Sequence, residues 1–208
     1  MPARHVLILY GTSYGQTAKI ARRMDDLLTA SGEIVTLVDA SNQPRGLTPR
    51  EFDGIIVGGS IIRGRHQKSV RRFVHVHRDA LNAMPSAFFS VSGTAASRDQ
   101  AAQADARRFV DEFLQETGWH PARRESIAGA MAYTKYNPIV RWIVMRASKP
   151  AGGPTDTSRD HEFTDWAQVQ RFVEAFEATL PAPTAVGGLS ATDQHALDHE
   201  RLPDLTRA

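Results

Sequence analysis

Short apolar runs alternate along this chain with longer stretches in which apolar residues recur at helical spacing. The first run, Val6-Leu7-Ile8-Leu9, contains no polar residue, which suits a strand buried on both faces of a parallel sheet. Ile20, Met24, Leu27 and Leu28 then fall on one side of a helix that Ser31-Gly32 ends. Further strands are predicted at Glu33 to Val38, Phe52 to Ser60, Ala87 to Ser92 and Arg124 to Ala130. Between them lie a helix carrying Val70, Phe73, Val74 and Leu81 and a longer one carrying Ala106, Phe109, Val110, Phe113 and Leu114, closed by Gly118. A last helix, from about Thr164 to Leu180, turns Trp166, Val169, Phe172, Val173 and Phe176 inward, with Thr164 or Asp165 as its cap. Strands alternating with helices in this way demand an α/β architecture, a five-stranded parallel sheet with right-handed crossovers and helices on both faces. The fifth strand is the least apolar of the set, as an edge strand should be.

Two stretches fall outside the pattern. Residues 133–160 interrupt the passage from the fifth strand to its helix, where a short loop would suffice, and are read as an insertion. From Pro181 onward Ala, Pro, Gly and Asp dominate without apolar periodicity, which gives a domain over residues 1–180 and a mobile tail over 181–208. The 208 residues suffice for one core with two helix layers. The absence of cysteine excludes disulfides, thiolate catalysis and Cys-ligated metal centres, so any redox chemistry has to come from a bound organic cofactor. The net charge of +2 and pI near 9.1 come with scattered rather than striped arginines, which leaves no footprint for nucleic acid. No apolar run approaches the length of a bilayer span, and the N-terminus enters the first strand without a leader. The expected location is therefore cytoplasmic, with peripheral attachment to the inner membrane face as the membrane option.

Gly11-Thr12-Ser13-Tyr14-Gly15-Gln16-Thr17 joins the first strand to the first helix. A helix N-terminus leaves backbone N–H groups unpaired and carries partial positive charge, so main-chain donors and the hydroxyls of Thr12, Ser13 and Thr17 can hold a phosphate without an arginine. The loop contains neither the Gly-Lys-Ser/Thr of a Walker loop nor the Gly-x-Gly-x-x-Gly of a dinucleotide site. Its Thr-x-x-Gly-x-Thr pattern resembles the FMN-phosphate loop of flavodoxins; an ordinary Ser/Thr-capped helix is the plain alternative. In the flavodoxin-like strand order, 2-1-3-4-5, the ligand crevice lies at the carboxyl ends of strands one, three and four. The candidate cofactor-binding residues at those ends are Thr12, Ser13, Tyr14, Gly15, Gln16 and Thr17, then Ser60, Ile61, Arg63 and Gly64, then Ser92, Gly93 and Thr94.

Longer strings narrow the likeness. Tyr10 to Thr17, Gly59-Ser60-Ile61 before Arg63-Gly64, Met84-Pro85-Ser86-Ala87-Phe88-Phe89-Ser90-Val91, Ile127-Ala128-Gly129-Ala130, Gly152-Gly153-Pro154-Thr155-Asp156-Thr157 and Phe163-Thr164-Asp165-Trp166 together resemble the menaquinone-dependent protoporphyrinogen IX dehydrogenase family of bacterial haem synthesis. The resemblance runs from about His5 to Leu180, insertion included. It implies a flavodoxin-like fold, an FMN cofactor, oxidation of protoporphyrinogen IX to protoporphyrin IX, and transfer of the electrons to a quinone. An NAD(P)H:quinone reductase and an electron-carrier flavodoxin are the competing readings. A carrier should be acidic and flank its flavin with Trp and Tyr, whereas the third- and fourth-strand loops here offer Ile61, Ile62, Arg63 and Gly93 to Ala96.

No catalytic side chain is singled out, because the flavin N5 carries the hydride chemistry in such an enzyme. Arg63 is the candidate for tuning the flavin, and Arg65 reads more simply as a solvated arginine. Lys135 and Arg141, in the insertion, are substrate candidates that would pair with the two propionates of a porphyrin. His75 and His77 fall on different sides of their helix, His195 and His199 lie in the tail, and no metal site is expected. Pro138 to Lys149 forms an amphipathic helix, with Ile139, Val140, Ile143, Val144 and Ala147 on one face, Trp142 and Met145 on its flank beside Arg146 and Lys149, and Arg141 and Ser148 opposite. Such a helix is expected either to lie in a membrane interface or to pack on the protein.

Overall fold

The first apolar run forms β1 (His5–Gly11), buried at every residue from Val6 onward. Its side chains alternate between two cores: Val6, Ile8 and Tyr10 enter one, Leu7 and Leu9 the other. The computed structural model describes residues 3–97, 99–148, 154 and 156–182. Among them β2 (Ile34–Asp39), β3 (Gly54–Ile62), β4 (Arg65–His66), β5 (Ser86–Ser92) and β6 (Arg123–Ala128) complete the principal sheet. Its parallel strands run β2-β1-β3-β5-β6, the order expected for the five principal strands. Helices α1 (Gln16–Ala30) and α5 (Trp166–Glu177) cover one face through Ile20, Met24, Leu28, Val169, Phe172 and Phe176. On the other face, α2 (Lys68–Asn82) and α3 (Gln100–Thr117) contribute Val70, Phe73, Val74, Val110, Phe113 and Leu114.

The ends of these elements follow local chemistry. Asp99 and Asp165 cap α3 and α5 by accepting the first free backbone N–H groups, and Gly118 closes α3 in the left-handed region at φ 67°. Ser86 is buried because it is fully used: its hydroxyl donates to Leu81 O at 2.9 Å and accepts from Trp119 Nε1 at 3.1 Å. Gly58, within β3, is small for a packing reason. A Cβ there would sit 2.0 Å from the Phe89 ring, so the site is glycine to make room for the core.

Three short strands lie outside the periodicity. β4 folds back on β3 in antiparallel register, Ile61↔His66 and Ile62↔Arg65, leaving Arg63 and Gly64 as a two-residue turn. Both have positive φ, 52° and 76°, the geometry that matches a hairpin's twist and that an arginine adopts at a cost of roughly 1 kcal/mol. The other two, β7 (Ala130–Met131) and β8 (His161–Glu162), pair antiparallel and join the two ends of the insertion. Residues 183–208 of the tail, with His195 and His199, lie outside the described residues, as do Lys149 and part of the string from Gly152 to Thr157.

β4 also buries His66 against Phe88 and Phe113, with Nε2 2.9 Å from Ser90 Oγ. Burial, helped by the positive charge of Arg71, pushes the imidazole down from 6.5 to about 4. The folded state therefore holds His66 neutral while the unfolded chain protonates near 6.5, so its stabilising contribution is complete above that pH and lost as pH falls toward about 4. Urea titrations should show His66 removing about 3 kcal/mol across this window. A His66→Gln variant, whatever its baseline, should lack that part of the slope; equal slopes in the two proteins would refute a neutral buried imidazole.

Candidate functional site

The carboxyl ends of β1, β3 and β5 open into a cleft of about 490 Å³. Part of its lining comes from the segments expected: Thr12, Tyr14, Gln16 and Thr17, then Ser60, Ile61, Ile62 and Arg63, then Val91, Ser92 and Gly93. The rest comes from Gly129, Ala130 and Met131 beyond β6 and from Tyr136, Val140, Ile143 and Val144 of the insertion. Ser13, Gly15, Gly64 and Thr94 stand outside this lining, as do Lys135 and Arg141.

At one end of the cleft, α1 begins without a side-chain cap. Its N-cap is Gly15 at φ 96°, where α3 and α5 have an aspartate, so the first N–H groups of α1 are left for an anion. Thr12 Oγ1 accepts the Gly15 N–H at 3.0 Å, which fixes the loop and leaves the Thr12 hydroxyl proton to donate elsewhere. Thr17 Oγ1 is buried and has no hydrogen-bond partner among the described residues. An unpaired hydroxyl beside free amides is a donor set waiting for an acceptor, and a phosphate monoester satisfies it.

Gln16 takes a different part. Its side-chain amide donates to Thr164 Oγ1 at 2.8 Å and Glu162 Oε1 at 3.1 Å, and Thr164 in turn donates to Ala128 O at 2.8 Å. What Gln16 offers an anion is thus its backbone N–H. Gln67, which its position at the start of α2 gave no reason to suspect, donates through Nε2 to Ser13 Oγ at 3.2 Å and to Ser60 Oγ. It ties the loop after β1 to the end of β3.

The other end of the cleft is apolar and bordered by the insertion. Tyr136 packs edge-on to Tyr14 at 4.7 Å, and its hydroxyl accepts the Ala132 N–H at 3.2 Å. Burial pushes its phenol up, so the ring stays neutral. Beside the third- and fourth-strand loops, which offer neither Trp nor Tyr, the cleft is bordered by Tyr136 and by α4 (Pro138–Ser148), whose Val140, Ile143 and Val144 line it. Ile139, Trp142 and Ile143 of α4 are 72%, 57% and 52% exposed. Arg141, expected on the solvent side, is instead half-buried, with Nη2 donating to Tyr136 O at 3.3 Å. Arg63 borders the cleft from its left-handed turn, while Arg65 lies on a separate groove with Phe109, Glu112 and Glu116. Ser92 Oγ sits 2.9 Å from Thr94 Oγ1 and accepts the Ala95 N–H at 3.2 Å, holding the loop after β5.

A family model described as a flavodoxin domain matches residues 7–158. Protoporphyrinogen IX dehydrogenase [quinone] of Escherichia coli K12 is 33% identical over 180 residues, which cover 86% of this chain and 97% of that protein. The chain belongs to this family of flavodoxin-domain proteins. A Leishmania major protein of the same name is 33% identical over 179 residues, 84% of this chain and 75% of its own. Among solved structures, oxidised flavodoxin 1 from Bacillus cereus superposes with a TM-score of 0.52 at 16% identity, covering 85% of this chain and 99% of that one, a likeness of fold.

FMN is the cofactor of the flavodoxin domain, and the donors around Thr12 and Thr17 fit its phosphate. Replacing both threonines with valine should weaken FMN binding by roughly 1.5 to 3 kcal/mol for each charge-assisted hydrogen bond lost. Fluorescence titration of flavin-depleted protein measures this, and an unchanged affinity would remove the loop from the phosphate site.

Proposed function

We propose that this chain oxidises protoporphyrinogen IX to protoporphyrin IX, with FMN as the hydride acceptor and a quinone as the final electron acceptor. The observation that carries the reading is the union, in one cleft, of a donor-rich end at α1 with an apolar end bordered by Ile61, Ile62, Met131, Val140 and Val144. FMN, when bound, supplies the two-electron chemistry. The chain's part is position, charge and exclusion of water. Thr12, Thr17 and the first amides of α1 hold the phosphate end; Arg63 sets a fixed cation at the rim, where it favours added negative charge. No carboxylate or histidine is among the described residues lining the cleft, so what they offer a substrate is orientation rather than side-chain proton transfer. Anaerobic mixing of the FMN-loaded protein with protoporphyrinogen IX should bleach the flavin's visible band. If NAD(P)H bleaches it rapidly and the porphyrinogen does not, the chain is a quinone reductase instead.

A porphyrinogen and a long-tailed quinone both partition into lipid, and α4 fits delivery from a bilayer surface. Its exposed Ile139, Trp142 and Ile143 adjoin the cleft-facing Val140 and Val144, and the Arg146 guanidinium lies 5.8 Å from the Trp142 ring centroid. An aromatic with a cation beside it suits the headgroup level of an anionic membrane. Among the described residues no helix is long and apolar enough to cross a membrane. Because Ile139 and Trp142 are exposed, Ile139→Glu combined with Trp142→Glu should release the protein from anionic liposomes while flavin content and thermal midpoint stay unchanged. A parent protein that never sediments with such liposomes would exclude this route.

A further inference from the structure

The first residues of the insertion reach back to the loop after β1. Tyr133 is fully buried and donates its hydroxyl to Pro154 O at 2.9 Å. Thr134 is held at both its N–H and its hydroxyl by Asp160 Oδ1, at 2.9 and 2.8 Å, and Tyr136 packs edge-on to Tyr14. Lys135, between these anchored neighbours, extends its ammonium to Tyr14 O at 2.9 Å. A Cβ built on Gly15 would lie 3.3 Å from the same Nζ. The charge therefore sits on the loop whose amides and Thr17 hydroxyl await an anion.

We infer that Lys135 is the counter-ion of the FMN phosphate, supplied by the insertion and not by the phosphate loop itself. The inference rests on the reading of this cleft as an FMN site, and it moves Lys135 from the propionate role that sequence suggested. The electrostatic reason is plain. A phosphate monoester carries about −1.5 to −2 charges near pH 7. The N-terminus of α1 offers roughly half a positive charge, and the loop from Gly11 to Thr17 contains no cationic residue. Hydroxyls and amides solvate such a dianion without neutralising it, so a nearby ammonium meets a real deficit. Lys135 is only partly spent: among the described residues it forms no ion pair with a carboxylate, and Asp160, which flanks it and feels its charge, is hydrogen-bonded by Thr134 instead. Placing the cation on the insertion makes cofactor loading and the seating of the insertion one linked equilibrium, each favouring the other.

The test compares FMN with riboflavin, which lacks the phosphate, on flavin-depleted full-length protein. Lys135→Met should weaken FMN binding by about 10- to 100-fold while riboflavin affinity moves by less than about twofold. Lys135→Arg should keep most of the FMN affinity, and Lys135→Gln, which can still donate to the Tyr14 carbonyl, should lose as much as Lys135→Met. The fall in FMN affinity with added salt should be shallower in the Gln variant than in the parent. If FMN and riboflavin weaken together, or if Lys135→Gln binds FMN as the parent does, Lys135 merely pins the loop and the inference is overturned. A parent protein that binds neither flavin would instead overturn the assignment of the cleft itself, an outcome distinguishable from the first two.

Discussion

With Val6 to Tyr10, Ile55 to Val57 and Ala87 to Val91 packed on both faces, the backbone of the central strands can be paired only side to side, and a helix layer has to cover each face. Parallel pairing then sends every strand's carboxyl end to one edge of the sheet. Polar groups that cannot enter either core collect at that edge, which is where Thr12 to Thr17, Ser60 and Ser92 are found. The donor-rich end of the cleft is thus a by-product of burying β1 completely: the chain must leave the sheet at Gly11 and start α1 at once. The small Gly15 at that start leaves the helix end open.

The insertion answers a different physical problem. Its helix α4 contains no fully buried residue between 138 and 146, so it is held by its ends and by contacts to the cleft rather than by a core of its own. Segments of this kind open at lower free energy than the sheet that carries them. A border that is stiff where Tyr133 and Thr134 are anchored and looser toward Trp142 suits a site that admits a flat molecule and shuts out water.

The main strands and all five α-helices, α4 included, were legible because burial on both faces and helical periodicity are local signals. So was the loop from Thr12 to Thr17, whose chemistry lies in consecutive residues. Gln67 and Tyr136 were not, since nothing near them in sequence marks a site; topology alone brings the start of α2 and the insertion to the loop after β1. Arg141 was misplaced for a related reason: a helical wheel orders side chains around an axis but does not know that the preceding Tyr136 carbonyl will draw the guanidinium inward. Nor does the sequence say why position 58 is glycine, since a small residue beside a ligand and one beside a Phe89 ring look the same there.

The pairing of Ala130 with Glu162 and of Met131 with His161 brings the two ends of the insertion side by side. A loop whose ends already meet adds little closure entropy to the domain that bears it, and that addition grows only slowly with length. The insertion is in this sense a cassette. A change of length beyond Tyr136 need not disturb the sheet or either helix layer, whereas the stretch from Tyr133 to Tyr136, which touches the loop after β1, belongs to the frame that it borders.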